Sequence, residues 1–158
     1  MFAHLARGLL AALILAAPVA AHDYKIADLS VAHPAIPQPA TRAMTAAGHF
    51  SVTNSGTTPD RLLAVEAGIS ARVEMHTTDH GSDGTAKMRH VEAVDLPAGE
   101  TVDFTSGSWH VMFMGLSGGL EPGAKVPGVL VFEKAGRLDV VFNVEAPEAP
   151  AKDAHAHH

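Results

Sequence analysis

An all-β sandwich or barrel is the fold class that this sequence predicts. Beyond residue 22, short runs rich in Val, Ile, Leu, Phe and Thr recur at a spacing of about ten positions. Clusters of Gly, Pro, Asn, Asp and Ser separate these runs, and no stretch of ten or more residues holds a helical period.

Each element follows from that pattern in turn. Tyr24–Ala32 is the first expected strand. The Pro-rich stretch His33–Ala40 reads as an extended surface crossing, with at most one helical turn in Pro39–Ala47. Strands are then expected at Ala47–Thr53, Arg61–Ala67 and Arg72–Thr77, with Asn54-Ser55-Gly56 as a positive-φ turn after the first of them. A loop over Thr77–Thr85, turning at Asp83-Gly84, leads to Ala86–Val94. Pro97-Ala98-Gly99 precedes Thr101–Phe104, Ser106-Gly107-Ser108 precedes Trp109–Met114, and Gly118-Gly119 lies before Gly128–Glu133 and Arg137–Val144. Alternation assigns Phe50, Val52, Val73, Val102, Phe104, Trp109, Val111, Phe113, Val140 and Phe142 to the core.

The two ends read differently. Residues 1–21 join Arg7 to an apolar run, Leu9 to Val19, closed by small residues, which is the pattern of a cleavable signal peptide. The run is shorter than the roughly 20 residues a membrane span needs, so the mature form is expected to have none. Cleavage after Ala21 makes His22 the new N-terminus of a single domain, 22–144. Residues 145–158 (EAPEAPAKDAHAHH) are Ala, Pro and charge, and are expected to be disordered.

Composition then removes whole classes of function. Losing the leader removes Arg7 and no acid, so the formal charge of −6 becomes −7, which disfavours nucleic acid as a partner. The chain has no cysteine. Zinc-thiolate sites, thiol redox chemistry, iron–sulfur clusters and blue-copper centres are therefore excluded. The remaining soft or borderline ligands are 11 His and 6 Met.

Their placement is informative. In Trp109-His-Val-Met-Phe-Met114, side chains alternate, so Trp109, Val111 and Phe113 share the core face while His110, Met112 and Met114 share the other. In Val73-Glu-Met-His76, Glu74 and His76 face away from Val73 and Met75; in Lys87-Met-Arg-His-Val91, Met88 and His90 share a face. Two imidazoles and two thioethers from His76, Met88, His110 and Met112 suit Cu(I), because thioethers bind that soft ion and have little affinity for Zn(II), Mg(II) or Ca(II). Met as core filler and His as an ordinary surface residue account for the same spacing, and the spacing leaves both readings open.

Residues Val73–Leu116 resemble the periplasmic copper chaperone family PCuAC. The resemblance rests on His76, Met88 and His110-Val-Met112, together with Lys87-Met-Arg, Leu96-Pro-Ala-Gly-Glu and Val131-Phe-Glu-Lys-Ala-Gly, and extends over about Ile26 to Val144. It implies a cupredoxin-like Greek-key β-sandwich that holds Cu(I) on His76, Met88, His110 and Met112. It also implies delivery of copper, without turnover, toward the dinuclear centre of respiratory oxidase. The implied acceptors are an oxidase copper-centre subunit or a Sco-type thiol protein. His90 departs from the family pattern, which usually has Pro there, and His33-Pro34 stands where a Trp is common.

Other candidate ligands lie around this set. His90 and Met114 are possible auxiliary ligands, and His155, His157 and His158 form a tail able to take Cu(II). A terminal His22 can chelate Cu(II) through its amine and imidazole. Three functions compete. A monomeric periplasmic chaperone leads, ahead of copper sequestration for tolerance. A copper-dependent oxidoreductase built on His22 comes last, because no supporting motif accompanies it, and the chain is read as a non-enzyme.

Overall fold

A computed structural model of the chain describes residues 23–105 and 109–147. The expected signal peptide with His22, the 106–108 turn, and the tail with His155, His157 and His158 fall outside the described residues. Eleven strands are present: β1 Tyr24–Ile26, β2 Leu29–Pro37, β3 Thr45–Asn54, β4 Asp60–Ala67, β5 Ser70–His80, β6 Ala86–Val91, β7 Val94–Leu96, β8 Thr101–Phe104, β9 Trp109–Leu116, β10 Lys125–Phe132 and β11 Gly136–Glu145. No helix occurs among the described residues. The all-β expectation holds.

The strands run in the order β6-β5-β9-β3-β2-β11-β10-β4-β7, with β1 on β2 and β8 on β3. Strand β3 joins the two layers. Its first half, Thr45–Gly48, pairs with β9, and its second half, Phe50–Thr53, pairs with β8. Burial alternates along it without a break, as the period of a strand demands when one face is core. Gly48 sits at the changeover, where a Cβ would come within 2.8 Å of the Phe113 ring. Glycine is needed there for close approach.

Four phenylalanines fill the space between the layers. Phe50 stacks on Phe104 with centroids 4.5 Å apart, and Phe142 meets Phe50 and Phe113 edge-on at 6.1 and 5.5 Å. Such offset and edge geometries suit the aromatic quadrupole. Phe50, Val52, Phe104, Val111, Phe113, Val140 and Phe142 are buried as expected, while Val73, Val102 and Trp109 are partly buried against them.

Several local expectations need correction, among them the expected strand Ala86–Val94, which is divided into β6 on β5 and β7 on β4. His33–Ala40 is not a surface crossing along its first part. Strand β2 continues through a bulge between Ala32 and Ala35, with His33 at φ 51°, and then pairs in parallel with β11. Ala35 and Ile36 are buried. The bulge accommodates Pro34, which has no N–H for a regular ladder. At Asn54-Ser55-Gly56 the turn needs no positive φ at Gly56. The buried Asn54 side chain accepts from Gly56 N at 3.0 Å and donates to Thr58 O and Leu96 O, an Asx arrangement that fixes the turn.

Asp60 clamps the other layer. It is 6% exposed, and its carboxylate accepts from the backbone N–H of Arg61, Lys134 and Ala135 at 2.7–2.9 Å. Burial works to raise its pKa, but those three donors outweigh burial and hold it below the ordinary carboxylate value. Asp60→Asn turns an amide N–H toward one backbone donor and is expected to cost on the order of 2 kcal/mol at pH 7. The carboxylate's contribution is complete above its unfolded value of about 3.9 and is lost as pH falls through the lower folded one. Urea melts of both proteins should therefore converge in that acid range; a gap independent of pH would contradict the clamp.

Candidate metal centre

Strand β5 is flanked by β9 on one side and by the edge strand β6 on the other. Its inward residues Val73 and Met75 pair with Phe113 and Val111 of β9, and that apolar face fixes the register. The outward residues follow from it. His76 lies directly opposite His110, Glu74 opposite Met112, and Arg72 opposite Met114. Across β6, His76 lies opposite His90 and Thr78 opposite Met88. All four residues selected from sequence thus share one outer face, together with His90 and Met114.

They are not equally close. His110 is the lateral neighbour of His76, and Met112 and Met88 sit on its two opposite diagonals. With strands about 4.8 Å apart and a rise of about 3.3 Å per residue, the Met88 and Met112 Cα atoms are roughly 16 Å apart. Met88 is 55% exposed. The expected loop over Thr77–Thr85 is shorter than read from sequence. β5 runs on to His80 and β6 starts at Ala86, so His76 and Met88 lie within the ladder and do not flank the turn. Gly84 takes φ 82°, and Asp83 accepts from Thr85 N and Oγ1, which closes the five-residue connection. Among the described residues no three His, Asp or Glu side chains stand together in ligating geometry, so a closed centre needs the thioethers.

Hydrogen bonds prepare the imidazoles. His76 Nε2 donates to Glu74 Oε2 at 2.9 Å, and Glu74 in turn is paired with Arg72 Nε at 2.8 Å. A carboxylate only accepts, so in the neutral ring the proton sits on Nε2 and the Nδ1 lone pair is free. Nδ1 of His76 is buried and has no hydrogen-bond partner. A buried orphan acceptor is costly unless something occupies it. The carboxylate–imidazole pair leaving the other nitrogen open is the usual support of a metal ligand. His110 Nε2 bonds Thr78 Oγ1 at 3.0 Å, so its Nδ1 is the atom left for a ligand. Met114 Sδ lies 3.8 Å from Arg72 Nη2, which occupies that sulfur.

His49 lies close to this face as well. It is half-buried on β3 beside the paired residues Gly48 and Val111. Burial lowers its pKa most, His110 lowers it further, and Glu145 opposes both. Its nearness to His110, like the supporting roles of Glu74 and Thr78, depends on cross-strand register. Sequence carried no signal for it beyond the shared face of Glu74 and His76.

The chain can now be set beside known proteins. The model of the LpqE-like family, described as lipoproteins, matches residues 29–144. No curated protein matches. Among solved structures, the copper-bound PCuAC domain from PmoF2 aligns with a TM-score of 0.68 at 28% identity, over 80% of this chain and 99% of that domain. The apo PmoF2 PCuAC domain gives 0.68 at 30% identity, over 81% and 98%. The solution structure of CuI-DR1885 from Deinococcus radiodurans gives 0.61 at 23% identity, over 80% and 83%, a likeness of fold alone.

The Glu74 carboxyl is held below the ordinary glutamate range, first by the hydrogen bond from His76 and further by the nearby charge of Arg72. In the metal-free protein, side-chain NMR should find Glu74 titrating low, and His76→Ala should move its midpoint up. An unchanged midpoint would mean that the two side chains do not pair in solution.

Proposed function

This chain belongs to the LpqE-like family and has the fold of a PCuAC domain, and from that premise we propose that it is an exported Cu(I)-binding metallochaperone. Copper is its cargo. One observation carries the reading: His76 and His110 form a direct cross-strand pair on an outer face, with Met112 beside them and an unpartnered Nδ1 on His76. Imidazole and thioether donors without thiolate or a carboxylate ligand select a soft monovalent ion over Zn(II).

His76, His110 and Met112 form the compact part of the site, and Met88 joins them when the exposed edge strand β6 moves inward, since its Cα lies roughly 16 Å from that of Met112. The different placements of the two sulfurs give the site its mechanism. Met112 lies between strands β5 and β3 and is fixed by its ladder. Met88 hangs on an exposed strand that has no outer neighbour among the described residues. Met88 is thus the ligand that yields when an acceptor presents its own. A thiolate acceptor is softer than two thioethers, so Cu(I) passes to it downhill through a shared complex. An oxidase copper-centre subunit or a Sco-type thiol protein has that chemistry, and delivery toward the dinuclear oxidase centre follows.

The signal-peptide pattern of residues 1–21 supports export to the periplasm. The lipid attachment that the family name denotes requires a cysteine acceptor, and these 158 residues contain none. A second reading, copper storage for tolerance, draws on the histidines at 155, 157 and 158.

Transfer separates the two. Cu(I)-loaded protein is mixed with a thiolate apo-acceptor while a chromogenic chelator holds free Cu(I) low. A chaperone passes copper in one-to-one complexes at a rate independent of chelator, and does so without its tail histidines. Transfer only through the chelator-accessible pool, or only with the tail, supports storage instead. In the same assay Met112→Ala should weaken Cu(I) binding more than Met88→Ala does, and equal losses would remove the asymmetry.

A further inference from the structure

His110 has a second imidazole neighbour. On β3, Ala46, Gly48 and Phe50 face the core, so Thr45, Ala47 and His49 lie on the outer face. The ladder between β3 and β9 sets Ala47 opposite Met112 and Gly48 opposite Val111. Its next step brings His49 beside His110, close enough to feel that ring's charge. His49 thus stands on the β3 side of His110 as His76 stands on the β5 side, each lateral to His110 and diagonal to Met112. We propose that His49 is a further ligand of the Cu(I) ion, holding from β3 the place that Met88 takes when β6 moves inward.

The sheet geometry favours His49 over Met88. With strands about 4.8 Å apart and a rise of about 3.3 Å per residue, the His49 Cα lies roughly 5 Å from that of His110 and roughly 8 Å from that of Met112. For Met88, two strands away from β9, the same distances are roughly 12 and 16 Å. His76 and His49 flank β9 with Cα atoms roughly 10 Å apart. Through a metal–nitrogen bond of about 2.0 Å, an imidazole on either flank reaches an ion above His110. Ala47, opposite Met112, adds only a methyl group to the approach from β3.

The His49 ring is also the one able to turn. Among the described residues the three imidazoles are not gathered in ligating geometry, so at least one must reorient. His76 is held by Glu74 and His110 by Thr78. His49 has no such bond among the described residues; burial and the charges of Glu145 and His110 are what act on it. Its χ2 is a broad torsion, so the ring rotates at little cost. With His49 in place, every ligand comes from a strand that has a neighbour on each side, β5, β9 or β3. The inference rests on the Cu(I) reading and deepens it: His49 closes the site at rest, and Met88 replaces it when the edge strand swings in for exchange.

The test uses the full mature chain with His155→Ala, His157→Ala and His158→Ala, which silences the tail. Imidazole nitrogens are labelled with nitrogen-15 and followed by NMR as Cu(I), a diamagnetic ion, is added. Ligation should move one ring nitrogen of His49 together with those of His76 and His110, while the rings of His33 and His80 keep their shifts. His49→Ala should weaken Cu(I) by at least about tenfold in chelator competition. X-ray absorption of that variant should show less nitrogen and more sulfur in the first shell, because Met88 is then left to close the site. His49→Gln, polar and of similar size, should not restore the affinity. A His49 ring that stays unmoved while His76 and His110 respond overturns the inference and leaves the Cu(I) reading standing. It does so even if His49→Ala weakens binding, since that loss would then come from packing. No response from any of the three rings would end both.

Discussion

The pairing of β5 with β9 is the constraint on which everything at the outer face depends. Beneath it, Val73 and Met75 meet Phe113 and Val111 across the ladder, and Phe113 is locked against Phe142 of the opposite layer. A slip of one residue would move every one of these side chains to the solvent face. The apolar contacts that stabilise the sandwich thereby set His76 opposite His110. Core packing and ligand placement are two faces of one register.

His76 is the hinge of the arrangement. Its Nε2 proton is committed to Glu74, which Arg72 steadies, and its Nδ1 is buried without a partner. On one side stand His110 and Met112; on the other, His90 and the edge of the sheet. A ligand fixed by its own hydrogen bond costs less to order when the ion arrives.

Much of this was legible in the sequence wherever a rule is local. Strand alternation separated Trp109, Val111 and Phe113 from His110, Met112 and Met114, and the structure agrees. Thr101–Phe104 is a strand with the expected bounds. The PCuAC resemblance agrees in fold with the copper-bound PmoF2 domain. Rules of longer range failed. Nothing in His33-Pro34 announced a bulge that carries β2 on into the core. The length of the β5–β6 ladder was underestimated because Thr78, Asp79 and His80 look like loop, although pairing extends through them. That extension is what separates Met88 from Met112. The orphaned His76 nitrogen and the closeness of His49 to His110 are likewise properties of register, which one sequence does not contain.

The central claim is that a Cu(I) ion bridges imidazole and thioether on the face built by β5 and β9. X-ray absorption at the copper edge of the Cu(I)-loaded protein, with tail histidines replaced, tests it most directly. Both nitrogen and sulfur scatterers are expected in the first shell, with the sulfur contribution falling in Met112→Ala and Met88→Ala. A first shell of nitrogen and oxygen alone, unchanged by either substitution, would contradict the claim.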